Sequence, residues 1–401
     1  MRPVLRLGAF DAERSWRPAD LARLPAVAAE GHHVDAMDEL LAGLCAPEDT
    51  LVTRHGLDPR LRAALADAGI AFRHHVVPDG PGTVEELFAR DPAAPELLRD
   101  NDFAPYAVTA PVAALAPGLP AVADVAQVNS KAWSNDLVVE LGLPGAGVVV
   151  RSTAELARAV DGPVVVKDPY GVSGSGVLEV RSPGVLRAIT RVLDRQAGAR
   201  VELVVQPLYD KLHDLSAHGE LEPDGTWHWL GVRQVRNRGF RYAGSGPPGS
   251  DAHEQALRDA AAEVARRAFA EGYWGPISID AMVLPDGVLI PVLEVNARVS
   301  LGRLSLELDR RLGDGRRRCH LWQVELAVPG GVGVGALVDA LRDDGLHERC
   351  VVLGGGAVAP PTGRVHCALL SEPFTVDGLK DRVLASFGRA GVRVRGAVHA
   401  A

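Results

Sequence analysis

The sequence predicts a protein of mixed α/β and α+β class, and three observations support this. Short apolar runs alternate with helical ones over residues 1–120, which is typical of a small parallel sheet. Two apolar, β-branched segments joined by turn residues read as a hairpin at 277–298. A Gly/Ser-rich loop follows Lys167 and separates two further strands. At 401 residues the chain is too long for one ordinary core. We divide it into an N-terminal α/β domain (1–120), two central subdomains (121–200 and 201–315) and a small C-terminal α/β extension (316–401).

The N-terminal rhythm places strands at 5–10, 50–53 and 70–77 and helical runs at 34–44 and 59–68. The apolar stretch 104–128 is long enough to suggest a membrane span, but four prolines and Asp124 interrupt it. We interpret it as buried irregular chain and turns.

Composition limits the possible functions. Hydrophobic residues make up 47% of the chain and the net charge is −8, which describes a globular protein without the basic surface that nucleic acid requires. The apolar run after Met1 is too short for a signal peptide. The cysteines Cys45, Cys319, Cys350 and Cys367 show no paired spacing, so neither a disulfide framework nor a zinc site is indicated. We therefore expect a cytoplasmic protein that contacts neither nucleic acid nor membrane.

The hairpin carries candidate metal ligands. Side chains alternate along a strand, so Glu294 and Asn296 share one face. The odd turn 285–287 brings Asp280 to that face as a direct or diagonal neighbour. Two carboxylates and an amide suit Mg²⁺ that carries nucleotide phosphates. The alternative is a solvated outer face on an edge hairpin.

Residues that could hold phosphate precede the hairpin. Lys167 ends a buried strand and is followed by Ser173, Gly174 and Gly176, where backbone amides and hydroxyls can approach phosphate oxygens. The alternative is a plain hairpin loop. Lys131 opens a helix that Asn129 or Ser130 could cap, and by itself it is more typical of an exposed lysine.

In combination these elements resemble the ATP-grasp superfamily. A lysine at a helix start, a lysine before a Gly/Ser loop, a strand that ends in Gln206-Pro207-Leu208, and Asp280 with Glu294-x-Asn296 follow in the family's order over residues 120–310. The preceding unit looks like the pre-ATP-grasp domain of that family.

The resemblance implies roles for individual residues. ATP would lie between two α+β subdomains, with Mg²⁺, as two ions that Mn²⁺ can replace. The expected ATP-binding residues are Lys131, Lys167, Ser173, Gly174, Gly176, Gln206, Pro207, Leu208 and Asp214. The expected metal ligands are Asp280, Glu294 and Asn296, and Arg298 would stabilise the transferred phosphoryl group.

Further arginines are candidates for the substrate. Arg233, which we group with Arg298 as catalytic, and Arg236, Arg238, Arg241 and Arg303 could hold substrate carboxylates in bidentate fashion. For each of them a solvated basic strand or surface is the alternative.

The function implied by the resemblance is an ATP- and Mg²⁺-dependent carboxylate-amine ligase that joins amino acids or small peptides through an acyl phosphate. The chain looks most like bacterial peptide and L-amino-acid ligases, including the pheganomycin type, and a homodimer is a family-level expectation. Alternatives are a small-molecule kinase, a non-catalytic ATP-binding regulatory protein and a biotin-dependent carboxylase component.

Overall fold

The computed structural model describes residues 2–25, 36–171, 176–196, 198–372 and 375–395. Within these ranges the strands form three sheets.

The first sheet lies in the N-terminal domain. Its four strands are parallel and run in the order β3-β2-β1-β4 within the described residues. Leu5, Leu7 and Phe88 are fully buried between the sheet and its helices, so the parallel layer predicted from the sequence is present. The elements are β1 (Val4–Leu7), α1 (Ala12–Trp16), a 3₁₀ helix (Met37–Leu44), β2 (Thr50–Thr53), α2 (Pro59–Asp67), β3 (Arg73–Val76), α3 (Val84–Ala89), α4 (Ala94–Asp100) and β4 (Asp102–Pro105).

The interpretation of 104–128 as irregular chain is wrong. This stretch holds the end of β4 and two helices, α5 (Ala110–Leu115) and α6 (Val122–Val128). Pro111 lies in the first turn of α5, where a missing N–H costs nothing because that N–H has no partner within the helix. The prolines therefore mark where elements begin and end.

A second, antiparallel sheet follows, in the order β5-β8-β6-β7. The predicted division at residue 200 does not match this sheet, because β8 lies at its centre and its apolar residues Leu203 and Val205 are buried there. The sheet therefore extends to Pro207. The elements are α7 (Lys131–Glu140), β5 (Val148–Val150), α8 (Thr153–Ala159), β6 (Val164–Lys167), β7 (Val177–Val180), α9 (Pro183–Asp194) and β8 (Leu203–Pro207).

The third sheet has ten strands among the described residues and runs β13-β12-β9-β10-β11-β14-β17-β15, with β16 and β18 paired to β17 and β14. The C-terminal strands thus continue the sheet that contains the predicted metal hairpin. The elements are β9 (His213–Leu221), β10 (Trp227–Arg238), β11 (Arg241–Gly246), α10 (Glu254–Ala270), β12 (Gly275–Val283), β13 (Leu289–Asn296), α11 (Leu301–Leu312), β14 (Arg318–Ala327), α12 (Val334–Asp343), β15 (Cys350–Gly354), β16 (Val358–Ala359), β17 (Thr362–Ser371), α13 (Val376–Arg389) and β18 (Arg393–Val394).

The largest hydrophobic core joins the N-terminal domain to the large sheet, with Leu41, Val128, Ile279 and Val365 among its members. The four cysteines are buried and unpaired. Among the helices that the structure describes, none combines the length and the apolar character needed to cross a bilayer.

Candidate functional site

A cavity of about 650 Å³ opens between the small antiparallel sheet, the large sheet and the N-terminal domain. Lys131 and Lys167 line it from one side and Asp280 and Glu294 from another. Tyr106 closes it from the N-terminal domain. The residue types predicted for phosphate and metal therefore meet in one space.

The hairpin of β12 and β13 has the predicted register at its open end. Asp280 lies directly opposite Glu294, before an irregularity between Asp280 and Met282. Asn296 Nδ2 donates to Asp280 Oδ2 at 3.3 Å, and Ser216 Oγ donates to Oδ1 at 3.0 Å. Burial and the neighbouring Glu294 carboxylate raise the pKa of Asp280 to about 6. Two adjacent carboxylates in a buried setting favour a bound cation, which would offset their mutual repulsion.

Lys131 supplies one positive charge at this point. Its Nζ lies 2.7 Å from Glu294 Oε1 and donates to the Gly171 carbonyl at 2.8 Å. Ser130 is the N-cap of α7, where its hydroxyl accepts from the Ala132 amide. Asn129 instead accepts a hydrogen bond from the Ala297 N–H at 2.9 Å, so the link between α6 and α7 holds the chain just after β13.

Lys167 supplies a second positive charge. Burial and, to a smaller extent, the nearby Lys131 lower the pKa of Lys167 to about 8, although Glu294 and Asp280 oppose the shift. The charged form of Lys167 is costly to bury, and anions near it stabilise that form. A bound phosphate would add to this stabilisation.

The predicted phosphate loop is described only at its ends. Ser173 and Gly174 lie outside the described residues. Gly176 has φ +79°, and a Cβ there would lie 2.9 Å from the Asp168 Cβ, so this position requires glycine. Arg17 of the N-terminal domain anchors the loop base, because its Nη1 lies 2.5 Å from Asp168 Oδ1 and both side chains are buried.

The segment between the two central sheets also lines the cavity. The residues of this segment at the cavity wall are Gln206, Pro207, Leu208 and Tyr209. The Gln206 amide donates to the Gly145 carbonyl at 3.0 Å, and the Leu208 N–H donates to the Pro163 carbonyl at 3.2 Å. Both groups therefore have protein partners.

Asp214 faces the same cavity. Its Oδ2 accepts from Asn237 Nδ2 at 2.7 Å and pairs with Lys211. Asp214 therefore lines the cavity together with two polar neighbours, Asn237 and Lys211.

Arg298 reaches the cavity beside the metal hairpin and is held by the N-terminal domain. Its Nε donates to Glu13 Oε1 at 2.6 Å, and its Nη2 donates to Asn296 Oδ1 at 3.1 Å. Its guanidinium lies 5.6 Å from the Tyr106 ring centroid. Although burial opposes it, the Glu13 carboxylate raises the pKa of Arg298, so this arginine stays charged.

The structure separates the other candidate arginines. Arg238 and Arg241 line the cavity, whereas Arg236 is exposed and lies 3.8 Å from Asp377.

Two of the candidates belong elsewhere. Arg233 is 1% exposed and its Nη2 lies 2.8 Å from Asp309 Oδ2. A guanidinium buried in an ion pair between β10 and α11 has no path to a substrate, so the catalytic role predicted for Arg233 is wrong. Arg303 pairs with Glu220 and Glu307 and lines a different cavity.

Sequence reasoning missed Glu13, Arg17 and Ser216. Glu13 and Arg17 lie in or beside the short helix α1 and reach the site only through the packing of the N-terminal domain on the large sheet, for which no local motif exists. Ser216 has a weak signal, because it has the parity of Asp214 on an apolar strand and pairs with Asp280 in register.

The residues present fit a divalent cation whose other ligands come from a nucleotide. No group of three His, Cys, Asp or Glu side chains suited to a metal occurs within the described ranges. Asp280, Glu294 and Asn296 would supply part of an oxygen shell, and Mg²⁺ commonly takes its remaining ligands from water and phosphate.

No family model and no curated protein matches this sequence. Solved structures do match. The N5-carboxyaminoimidazole synthetase of Staphylococcus aureus with ADP has a TM-score of 0.57 at 10% identity, over 96% of this chain and 97% of that one. The biotin carboxylase domain dimer of Hydrogenobacter thermophilus 2-oxoglutarate carboxylase, in complex with MgADP, ADP and bicarbonate, has a TM-score of 0.57 at 13% identity, over 98% and 90%.

An L-amino acid ligase of Bacillus licheniformis is also similar, with a TM-score of 0.51 at 14% identity, over 98% of this chain and 99% of that one. The chain therefore has an α/β N-terminal domain followed by the ATP-grasp fold, and the expected fold class is confirmed. The similarity extends over almost the whole length of each of these three proteins.

We predict that Arg233→Met lowers the free energy of unfolding by about 2 kcal/mol, because it removes the buried member of the two arginines that pair with Asp309 and leaves Arg318 as the remaining cation. Urea denaturation measures the change. The matched control is Arg238→Gln, at an exposed position of the same strand, which should change stability by less than about 0.5 kcal/mol. Equal effects of the two substitutions would contradict a structural role for Arg233.

Proposed function

We propose that this protein is an ATP- and Mg²⁺-dependent carboxylate-amine ligase that forms an amide or peptide bond between amino acids or small peptides. The observation that carries the proposal is the convergence of Asp280, Glu294, Lys131, Lys167 and Arg298 on one cavity between the sheets. Two carboxylates, two lysines and an arginine are the charges that phosphoryl transfer between anions requires.

The proposed chemistry has two steps. A substrate carboxylate oxygen attacks the γ-phosphorus of ATP, and the bond from that phosphorus to the β,γ-bridging oxygen breaks to give ADP and an acyl phosphate. An amine nitrogen then attacks the acyl carbon, phosphate leaves, and the nitrogen loses a proton. The protein need supply no nucleophile. This fits a cavity whose prominent polar groups are charged side chains that can hold the substrates in place.

Each charged group then has a task. Lys131 and Lys167 hold the phosphates and neutralise them. Asp280, Glu294 and Asn296 would hold Mg²⁺, which supplies charge neutralisation at the transferred phosphoryl group when bound. Arg298 adds a fixed positive charge at the same place, with its position set by Glu13 and Asn296.

The amino-acid substrate class rests on the arginines that remain at the cavity. Arg238 and Arg241 line it beside the proposed phosphate site, where a guanidinium can hold a substrate carboxylate. The similar fold of the L-amino acid ligase named above also supports an amino-acid substrate. We further propose that the protein is cytoplasmic and that it forms a homodimer. Light scattering would test the homodimer.

The deciding experiment measures ADP and phosphate release with ATP and Mg²⁺ across pairwise mixtures of amino acids, with product masses read in parallel. ADP release with a mass equal to two substrates minus water supports the ligase. ADP release with a phosphorylated product and no dependence on amine would indicate a kinase. ADP release with bicarbonate alone would indicate a carboxylase, and ATP binding without turnover would indicate a regulatory protein.

We predict that Glu294→Gln lowers ATP turnover at least about a hundredfold, because it removes a ligand charge from the metal site and the ion-pair partner of Lys131. The substitution also relieves the repulsion between Glu294 and the buried Asp280, which offsets the loss of the ion pair with Lys131, so the melting temperature should stay close to that of the wild type. ADP release and thermal unfolding are measured on the same preparation. The control is Glu222→Gln at an exposed turn, and wild-type turnover in Glu294→Gln would sink the assignment of the metal site.

We predict that Glu13→Gln lowers kcat about tenfold, because Arg298 loses the charge-assisted hydrogen bond that positions it. KM for ATP should change little, since the phosphate lysines do not contact Glu13. Steady-state kinetics separate the two constants. Glu48→Gln, an exposed glutamate of the same domain, is the control, and a rise in KM at constant kcat would show that Glu13 serves binding instead.

A further inference from the structure

A second cavity of about 640 Å³ lies beside the first and is not used by the proposed chemistry. It opens between the N-terminal domain and the far end of the large sheet. Tyr106 and Arg298 line both cavities and separate them. Its volume falls in the range of small-molecule sites.

The charges in this second cavity are unbalanced. Apart from Arg298, four arginines line it against two glutamates. Both glutamates are paired with arginines: Arg303 Nη1 lies 3.1 Å from Glu220 Oε2, and Arg310 Nη1 lies 3.2 Å from Glu307 Oε1. Two positive charges, Arg6 and Arg311, are left over.

Neither Arg6 nor Arg311 has an ion-pair partner among the described residues. Arg6 comes from β1 of the N-terminal domain, and its Nε is buried with no hydrogen-bond partner in the described part of the chain. Arg311 comes from the end of α11 and donates to the Cys45 carbonyl. Both arginines line the cavity together with Cys45, so two separate domains bring them into one space.

The remaining walls are apolar and aromatic. Phe103 and Leu119 of the N-terminal domain and Trp274 of the large-sheet unit line the cavity. Such walls would bury the apolar body of a ligand while the two guanidinium groups hold an anionic end.

We propose that the second cavity is a binding site for a small organic carboxylate with an aromatic or aliphatic body, held by Arg6 and Arg311. This site is distinct from the proposed nucleotide cavity and does not depend on the ligase function. A molecule bound there would lie against Tyr106 and Arg298, the residues that also line the first cavity. The site therefore adjoins the group that we propose for phosphoryl transfer.

The test is isothermal titration of the full-length protein with indole-3-acetate and with its uncharged isostere indole-3-acetamide. Charge-assisted hydrogen bonds predict that the acetate binds at least about tenfold more tightly than the acetamide, and that Arg6→Gln and Arg311→Gln each weaken acetate binding about tenfold. Two matched controls should bind the acetate as the wild type does: Arg241→Gln in the first cavity and Arg342→Gln on the surface. Thermal unfolding of every variant establishes that it is folded.

Three results would overturn the proposal. They are no binding of indole-3-acetate at millimolar concentration, equal binding of acetate and acetamide, and loss of binding in Arg241→Gln with retention in Arg311→Gln. Arg6 lies in a central strand, so that variant could fail to fold. Arg311 lies at a helix end, and its variant decides the matter in that case.

Discussion

The opposition of Asp280 and Glu294 across β12 and β13 is the constraint on which the rest of the site depends. Two carboxylates that face each other repel, and burial makes Asp280 less stable as an anion there than in water. Three cations lie around this pair: Lys131 begins α7, Lys167 ends β6 and Arg298 follows β13. These cations also suit the cavity to phosphate. A bound phosphate would balance the two lysines and the arginine, and a bound metal ion would balance the two carboxylates.

This arrangement requires a fixed packing of the N-terminal domain and of α7 against the other structural units. Glu13 of α1 fixes Arg298, Arg17 fixes the base of the phosphate loop through Asp168, and Asn129 fixes the backbone at Ala297. Each of these contacts crosses from one structural unit to another. The N-terminal domain therefore contributes to the site by orienting groups that other units supply, and Asp168 and Arg298 share that support.

The parts of the site that follow from period-two alternation and turn length could be predicted from the sequence. The parity of Asp280, Glu294 and Asn296 is of this kind, as are the strands around Lys167. Contacts between units could not be predicted, because nothing local to Glu13 encodes its partner 285 residues away. The prediction of a catalytic role for Arg233 failed for a related reason. Arg233 and Arg238 lie on one strand with similar neighbours in sequence, and only the packing of α11 against β10 decides that Arg233 is buried against Asp309 while Arg238 faces the cavity.

Packing of the N-terminal domain on the large sheet also explains why two cavities adjoin. The domain packs on the large-sheet unit through the 3₁₀ helix and α2, which contact α11, α12 and β15, and Glu13 and Tyr106 reach Arg298 beside the β12–β13 hairpin. The space on the far side of Tyr106 forms the second cavity. Arginines that face such a space from both units are costly to leave without an anion, since each guanidinium gives up hydration without gaining a charged partner. Among the described residues Arg6 and Arg311 form no ion pair, although Arg6 acts electrostatically on Glu220, whereas Arg303 and Arg310 are paired with glutamates. The cost of two partly buried cations without an ion pair is therefore the physical reason to look for a ligand in the second cavity as well as in the first.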